Sequence, residues 1–511
     1  FGKCFYNIDE NAWSILKLHS CWGARLNESN TIEYYPISST GVNISSVNGN
    51  LFIGDRAGNI GLTGIGNTGV GTEAGFSLTS ASFSTLFGSQ AGKNLTSGNR
   101  NTFLGREAGR DTTTGEDNAF TGFQAGQLNQ TGNNNVAMGS EAFLNNTTSN
   151  GNVTIGRSAG KNLNNDDNTF VGNQSGLSST TATQNVMVGA YSGKNNETGS
   201  NNVLVGFNAG LTGIYAENLV AIGHESGKVN TVSNNTFVGA KAGYSNTTGQ
   251  GQTMVGYNSG YGNTTGENNT LLGTETGYSL QDGSANLLLG AKAGYSVTSG
   301  SRNILMGSAK TYNGYTSAGY SLSTGNDDLI IGSNAGSSLT SGSGNVLLGT
   351  DSGSSITSES GNVFIGYQTG MNQNNQNGNI MIGNQAGKNA SSGSSNIILI
   401  GDNAGSNGTM DTSIFIGKNA GSKLNGDHNI AIGFESLQNQ TGNAGSAEGN
   451  VFIGPHSGRV LSSGSRSVAI GGGLSNNTLG VLGVLGSITT QNDNTAIGYL
   501  AGKVAVSNEN T

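Results

Sequence analysis

Acid–base, nucleophilic or metal chemistry in this chain would have to come from four histidines, two cysteines and 30 carboxylates. The histidines, His19, His224, His428 and His456, lie far apart, with no HExxH and no pair at metal-ligand spacing. "HES" at 224–226 occupies a repeat position that holds other residues elsewhere. Glu107, Glu225, Glu275 and Glu435 share one position of that repeat but are too far apart to work on one bond. Asp327 and Asp328 are adjacent, and adjacency alone does not make an acid–base pair. Calcium-binding GGxGxD nonapeptides and the phosphate-cradling GxxxxGK[ST] are both absent. The expectation is no enzyme, no cofactor and no metal.

Other residues point to contacts and processing. Cys4 and Cys21 lie with Trp13 and Trp22 in the first 22 residues. In a chain otherwise free of cysteine they read as one disulfide in an oxidising compartment, with two buried free thiols as the alternative. Tyr312, Tyr315 and Tyr320, on a Gly/Ser background, form a candidate ligand loop, since an exposed Tyr offers a flat ring with a polar tip. The alternative is a tolerated insertion that binds nothing. Sequons are plentiful and place possible N-glycosylation at, among others, Asn94, Asn129, Asn146, Asn196, Asn246, Asn263, Asn407 and Asn439. Several fall in polar turns expected to face solvent.

The elements that position these residues come from one phrase. "NTFLG" at 101–105, "NTFVG" at 168–172 and "NVFIG" at 362–366 are copies of it. The glycines that end it run from Gly54 to Gly307 and, after an insertion, from Gly332 to Gly498, in 26 units mostly 17 residues apart. Gly accounts for 87 of 511 residues and Pro for 2, and only 10% are charged. Collagen is excluded by the lack of a Gly-X-Y period, and simple disorder by the regular apolar clusters. A fixed short period marks a solenoid, and 17 residues are too few for two packed helices. The fold class is therefore all-β, a parallel β-solenoid of about 26 coils, roughly 120 Å long at the ~4.8 Å strand spacing.

Repeated positions then take on jobs. The residue before the anchor glycine (Ile53, Val171, Val205, Ile365, Ile497) is expected to point inward. The small residue three after it (Ala57, Ala108, Ser175, Ala386) should let the coil walls approach. The second glycine, four after, suits a corner. Asn four before the anchor, as at Asn101, Asn152 and Asn303, should stack into a ladder that satisfies turn backbone groups. Strand alternation then sends the middle of the triplet outward. That position holds Phe52, Phe103, Phe170, Met187, Leu204, Phe237, Leu271, Leu288, Ile330, Phe364, Phe415 and Phe452. Such a stripe exceeds what a soluble monomer exposes, so these residues are the candidate subunit interface, covered by another copy. The alternative is a wide coil that turns them inward too.

The phrase, seen most closely in "NTAIG" at 494–498, "NIAIG" at 429–433 and "SVAIG" at 467–471, resembles the head repeats of YadA-type trimeric autotransporter adhesins. Similar Gly/Asn-rich repeats occur in phage and large-virus fibre proteins. The resemblance covers residues 50–502 and implies a left-handed parallel β-roll, three chains side by side and a surface role in attachment. The period of 17 is longer than those heads usually show, and Phe or Leu often stands where they favour Ala. Neither a heptad stalk nor a β-strand membrane anchor follows.

The chain divides into an N-terminal cap or assembly region (1–49), regular coils (50–307), a Tyr-rich insertion (308–331) and coils with longer loops (332–511). It begins at Phe1 without an initiator Met, as a mature secreted form or a fragment would. The net charge of −8 is mild, no basic stripe suits nucleic acid, and no apolar run is long enough to cross a bilayer. The function expected is a non-enzymatic extracellular or cell-surface fibre, adhesive, a homo-oligomer with a trimer favoured, with host or matrix glycans or proteins as further partners. The alternatives are an end-to-end filament in which the cap docks on the next subunit, an ice-binding solenoid, and a polysaccharide-active fibre.

Overall fold

The computed structural model describes residues 23–26, 32–35, 43–45, 48–308, 316–373, 377–390, 395–440, 447–461, 464–473, 487–488, 492–499 and 504–505. Two compact units, Phe1–Thr183 and Gln184–Thr511, make up the chain. Both are built from one element. Each copy of the repeat contributes a three- or four-residue strand, and 26 such strands run parallel at about a 17-residue period, with no helix among the described residues. The first unit carries them from Leu51–Gly54 to Thr169–Val171, the second from Val186–Val188 to Thr495–Ile497. Successive strands pair in strict register, so Phe103 lies beside Phe120 and Met254 beside Leu271. The fold is the β-solenoid that the period predicts.

Three features fix the shape of a coil. The first is the anchor glycine. At Gly139 φ is +134°, and an added Cβ would stand 2.6 Å from the carbonyl oxygen of Gly156 in the next coil. No side chain fits between rungs stacked so closely. The second is the asparagine ladder. Asn118 Oδ1 accepts the N–H of Asn135 at 3.0 Å, while its Nδ2 donates to the Gly132 carbonyl at 2.8 Å. Asn135 repeats this with the N–H of Asn152 (3.0 Å) and the Ser149 carbonyl (2.8 Å). The second unit continues the pattern through Asn269, Asn286 and Asn303. Each carboxamide thus serves one orphan donor and one orphan acceptor of a turn, which is why the position is buried yet polar.

The third feature is the interior, and here the structure inverts a sequence expectation. The middle residue of every triplet points inward. Phe52 is 3% exposed, Leu204 1%, and Phe103, Phe170, Met187, Phe237, Leu271, Leu288, Ile330, Phe364, Phe415 and Phe452 are fully buried. None of these can form a subunit interface. The physical reason is a coil so thin that the middle side chain rests on the opposite wall. A Cβ at Gly109 would sit 2.6 Å from the Phe103 ring, so the second glycine is the floor under that ring. Two coils trade the places: Ala137 with Phe143, and Ala431 with Leu437, carry the small residue on the strand and the large one on the floor, all buried.

The flanking residues expected inside therefore face out: Ile53, Val171, Val205 and Ile365 are half-buried and Ile497 is exposed. Alternation along the strand holds, with its phase reversed.

The ends and interruptions differ from the regular coils. Asn43–Ser45 pairs antiparallel with Leu51–Gly54, covering the edge of the first coil. The Tyr-rich interruption is shorter than expected. Residues 316–331 occupy ordinary coil positions, with Ile304 beside Leu329, so only 308–315 are inserted. Near the C-terminus a second parallel ladder, Asn439–Gln440, Val460–Leu461, Ser487–Ile488 and Val504–Ala505, forms on another wall.

Candidate functional site

Because the large residues fill the interior, the outer sheet face is made by the two residues that flank them. In the second unit this face is aliphatic at nearly every rung. From Leu287 and Leu289 to Val468 and Ile470, both outward positions of each strand are Ile, Val, Leu or Met. They are half-buried or exposed, with Ile304 at 39% and Ile470 at 38%. Thr occupies the first outward position in the strands at 236, 253, 270 and 495, and these four rungs bound the aliphatic row. The first unit shows the mixed version, Thr85 with Phe87 and Thr102 with Leu104.

A second row, on another wall, is one the sequence reading reaches only at its last member. Tyr244, Tyr261, Tyr278 and Tyr295 each stand five residues after an anchor glycine in consecutive coils, and Tyr320 follows them in the next. Their ring centroids are 5.0, 5.1, 5.1 and 5.2 Å apart with planes within 12°. All five are half-buried. Lys228 closes the first end, its Nζ 5.1 Å from the Tyr244 ring and 3.2 Å from the hydroxyl. Burial raises the Tyr295 phenol above its ordinary range, helped by the Glu275 carboxylate. The signal is present in the sequence, since Tyr recurs at this one position of the repeat from 244 to 295. The insertion hides that Tyr320 continues it.

The carboxylates that share a repeat position are ion-pair partners. Glu225 Oε1 meets Lys228 Nζ at 2.7 Å and its other oxygen Lys241 at 3.9 Å. The hydrogen bond from Lys228 holds its carboxyl below the usual range. Glu107 is lowered first by the hydrogen bond from Gln124 Nε2 (2.8 Å), with Arg106 at 2.9 Å adding to it. Glu275 pairs with Lys292 at 3.5 Å, and Glu435 with Arg459 at 3.1 Å. His456 is buried, with Nδ1 3.3 Å from Glu435, and burial lowers its pKa. His224 is exposed and stacks on Phe207. Each of these acids is occupied by a neighbour in its own or the adjoining coil.

Asp327 and Asp328 point apart. Asp327 is exposed and paired with Arg302 at 2.6 Å. Asp328 is buried in the asparagine ladder, where its Oδ1 accepts both the N–H (2.8 Å) and the Nδ2 (3.1 Å) of Asn345. Its Oδ2 has no partner, and burial pushes its pKa to about 6.

Of the eight sequon asparagines named above, five, Asn129, Asn146, Asn196, Asn246 and Asn263, are buried inside the coil and cannot carry sugar in the folded chain. They alternate with Leu95, Leu163 and Leu280 at the same inward position, so the turn points these residues in and only its next residues out. Asn407 is exposed, and Asn94 and Asn439 are half-buried. Cys4, Cys21, His19, Tyr312 and Tyr315 lie outside the described residues, so the disulfide and most of the ligand loop do too.

Among the described residues, no group of three or more His, Cys, Asp or Glu could hold a metal ion. No helix there is long and apolar enough to cross a membrane. In comparison with known proteins, no family model matches the chain and no curated protein does.

Proposed function

We propose that the chain is a non-enzymatic structural protein whose copies associate side by side through the outer sheet face, forming the head or shaft of an adhesive extracellular fibre. The observation that carries this reading is the unbroken aliphatic row from Leu287 to Ile470. Each rung presents about 7 Å of strand over ~4.8 Å of stack, so the eleven rungs of this row offer about 370 Å² per copy. The whole sheet face of the second unit, its Thr-bearing rungs included, offers on the order of 600 Å². A pair using the whole face would bury about 1,200 Å², the lower bound of stable interfaces, and a contiguous apolar strip of this kind commonly marks an interaction site. A second copy fits because its rungs have the same pitch, and rows aligned in parallel stay in step over their length.

Side-by-side contact is favoured over an end-to-end filament, because Asn43–Ser45 already occupies the edge of the first coil. The mild net charge and low content of charged residues keep like-charged copies from repelling strongly. Sedimentation of the parent chain and of a triple variant, Ile400→Lys, Ile416→Lys and Ile432→Lys, tests the reading. All three positions face outward. The parent should sediment as an oligomer and the variant as a folded monomer. A parent that sediments as a monomer refutes it.

A further inference from the structure

We propose that the tyrosine row Tyr244–Tyr261–Tyr278–Tyr295–Tyr320 binds an extended, uncharged polysaccharide of pyranose rings, with one sugar set against each coil. The site is separate from the self-association face and does not depend on it. Five rings on consecutive rungs, at spacings of 5.0 to 5.2 Å, make a straight array of phenol edges. Stacking occupies the ring faces and holds the side chains in place, so little rotamer freedom remains to be lost on binding. What the row can present outward is its ring edges and hydroxyls, each able to donate and accept a hydrogen bond. The residue after each tyrosine is small and half-buried (Ser245, Gly262, Ser279, Ser296 and Ser321), so no bulky neighbour in the chain crowds the row.

Pitch and charge choose the ligand. An extended peptide places same-side groups about 6.6 Å apart and falls out of step within a few rungs. A nucleic acid strand advances about 3.4 Å per base and needs unpaired cations for its phosphates. Here Lys228 and Lys241 share Glu225 and Lys292 pairs with Glu275, which leaves a single net positive charge at the Tyr244 end of the row, too little to follow a phosphate on every rung. A chain of pyranose rings linked through opposite ring positions advances by about one rung per sugar and carries hydroxyls at every step. It can follow all five tyrosines without strain.

The test uses the full chain in affinity gels containing hydroxyethyl cellulose, with heparin and polyglutamate gels beside it. Titration calorimetry with cellobiose and cellohexaose measures the dependence on length. The informative variant is Tyr261→Phe, Tyr278→Phe, Tyr295→Phe, which keeps the stack and removes three hydroxyls. The parent should be retarded by the neutral glucan, and cellohexaose should bind more tightly than cellobiose. The variant should lose about tenfold or more, as the loss of several hydrogen bonds would give. Absence of retardation, preference for either charged polymer, or unchanged binding by the Phe variant would each overturn the proposal.

Discussion

Asp328 stands where most coils place Asn, and that one atom of difference sets up a pH dependence. The carboxamides on either side, Asn303 and Asn345, donate through Nδ2 to a carbonyl 22 or 14 residues on. Asp328 can do so only while it is protonated. Its pKa is raised from 3.8 to about 6 by burial, so the folded chain holds a proton that the unfolded chain gives up. Below about pH 4 both states are protonated and there is no penalty. Stability is lost as pH rises towards and through about 6. Asp328→Asn should therefore stabilise the second unit at neutral pH by roughly 2–3 kcal/mol and by almost nothing near pH 3. Urea melts at the two pH values measure it. Asn135→Leu should act in the opposite direction at every pH, costing about 2–4 kcal/mol, because it orphans the Asn152 N–H and the Ser149 carbonyl. In a glycosylating host, peptide mass mapping should find sugar only at Asn94, Asn407 or Asn439 among the eight sequon asparagines named above. Sugar at Asn129 or Asn246 would contradict the burial of those side chains.

At the scale of the coil, the large residue on the strand and the small one on the facing wall form one packing unit. Phe143→Gly should leave a cavity beside Ala137 and cost about 3–5 kcal/mol. Adding Ala137→Phe should recover much of it by restoring the common pattern, a coupling that thermal melts of the two singles and the double would show. Phe103→Ser should destabilise the first unit without exposing or removing any outward group.

The coil also shows what can be read from the sequence. The period, the strand, the anchor glycine and the asparagine ladder are visible because each recurs at a fixed spacing. The phase of the strand is easily misassigned, because near-invariance before the anchor glycine looks like a core signal. Two signals carry the right phase. A buried ladder Asn four before the anchor shares its side of the strand with the residue two before it. The exchange of Ala137 with Phe143, and of Ala431 with Leu437, says which positions face each other across the coil. The tyrosine row can be followed over four coils. The residues inserted at 308–315 then shift the spacing, so that Tyr320 stacks on Tyr295 from 25 positions away instead of 17.

At the scale of the whole molecule, self-association rests on a sheet whose outer face is aliphatic at every rung from Leu287 to Ile470. The inner side chains are covered by the coil itself, and the outer ones are left for a partner. The most direct test is the native mass of the intact chain by sedimentation equilibrium at micromolar concentration. The account predicts a mass that is a multiple of 51.7 kDa, falling to one chain when Ile400, Ile416 and Ile432 are changed to Lys. A parent chain that stays at 51.7 kDa across that range would contradict it.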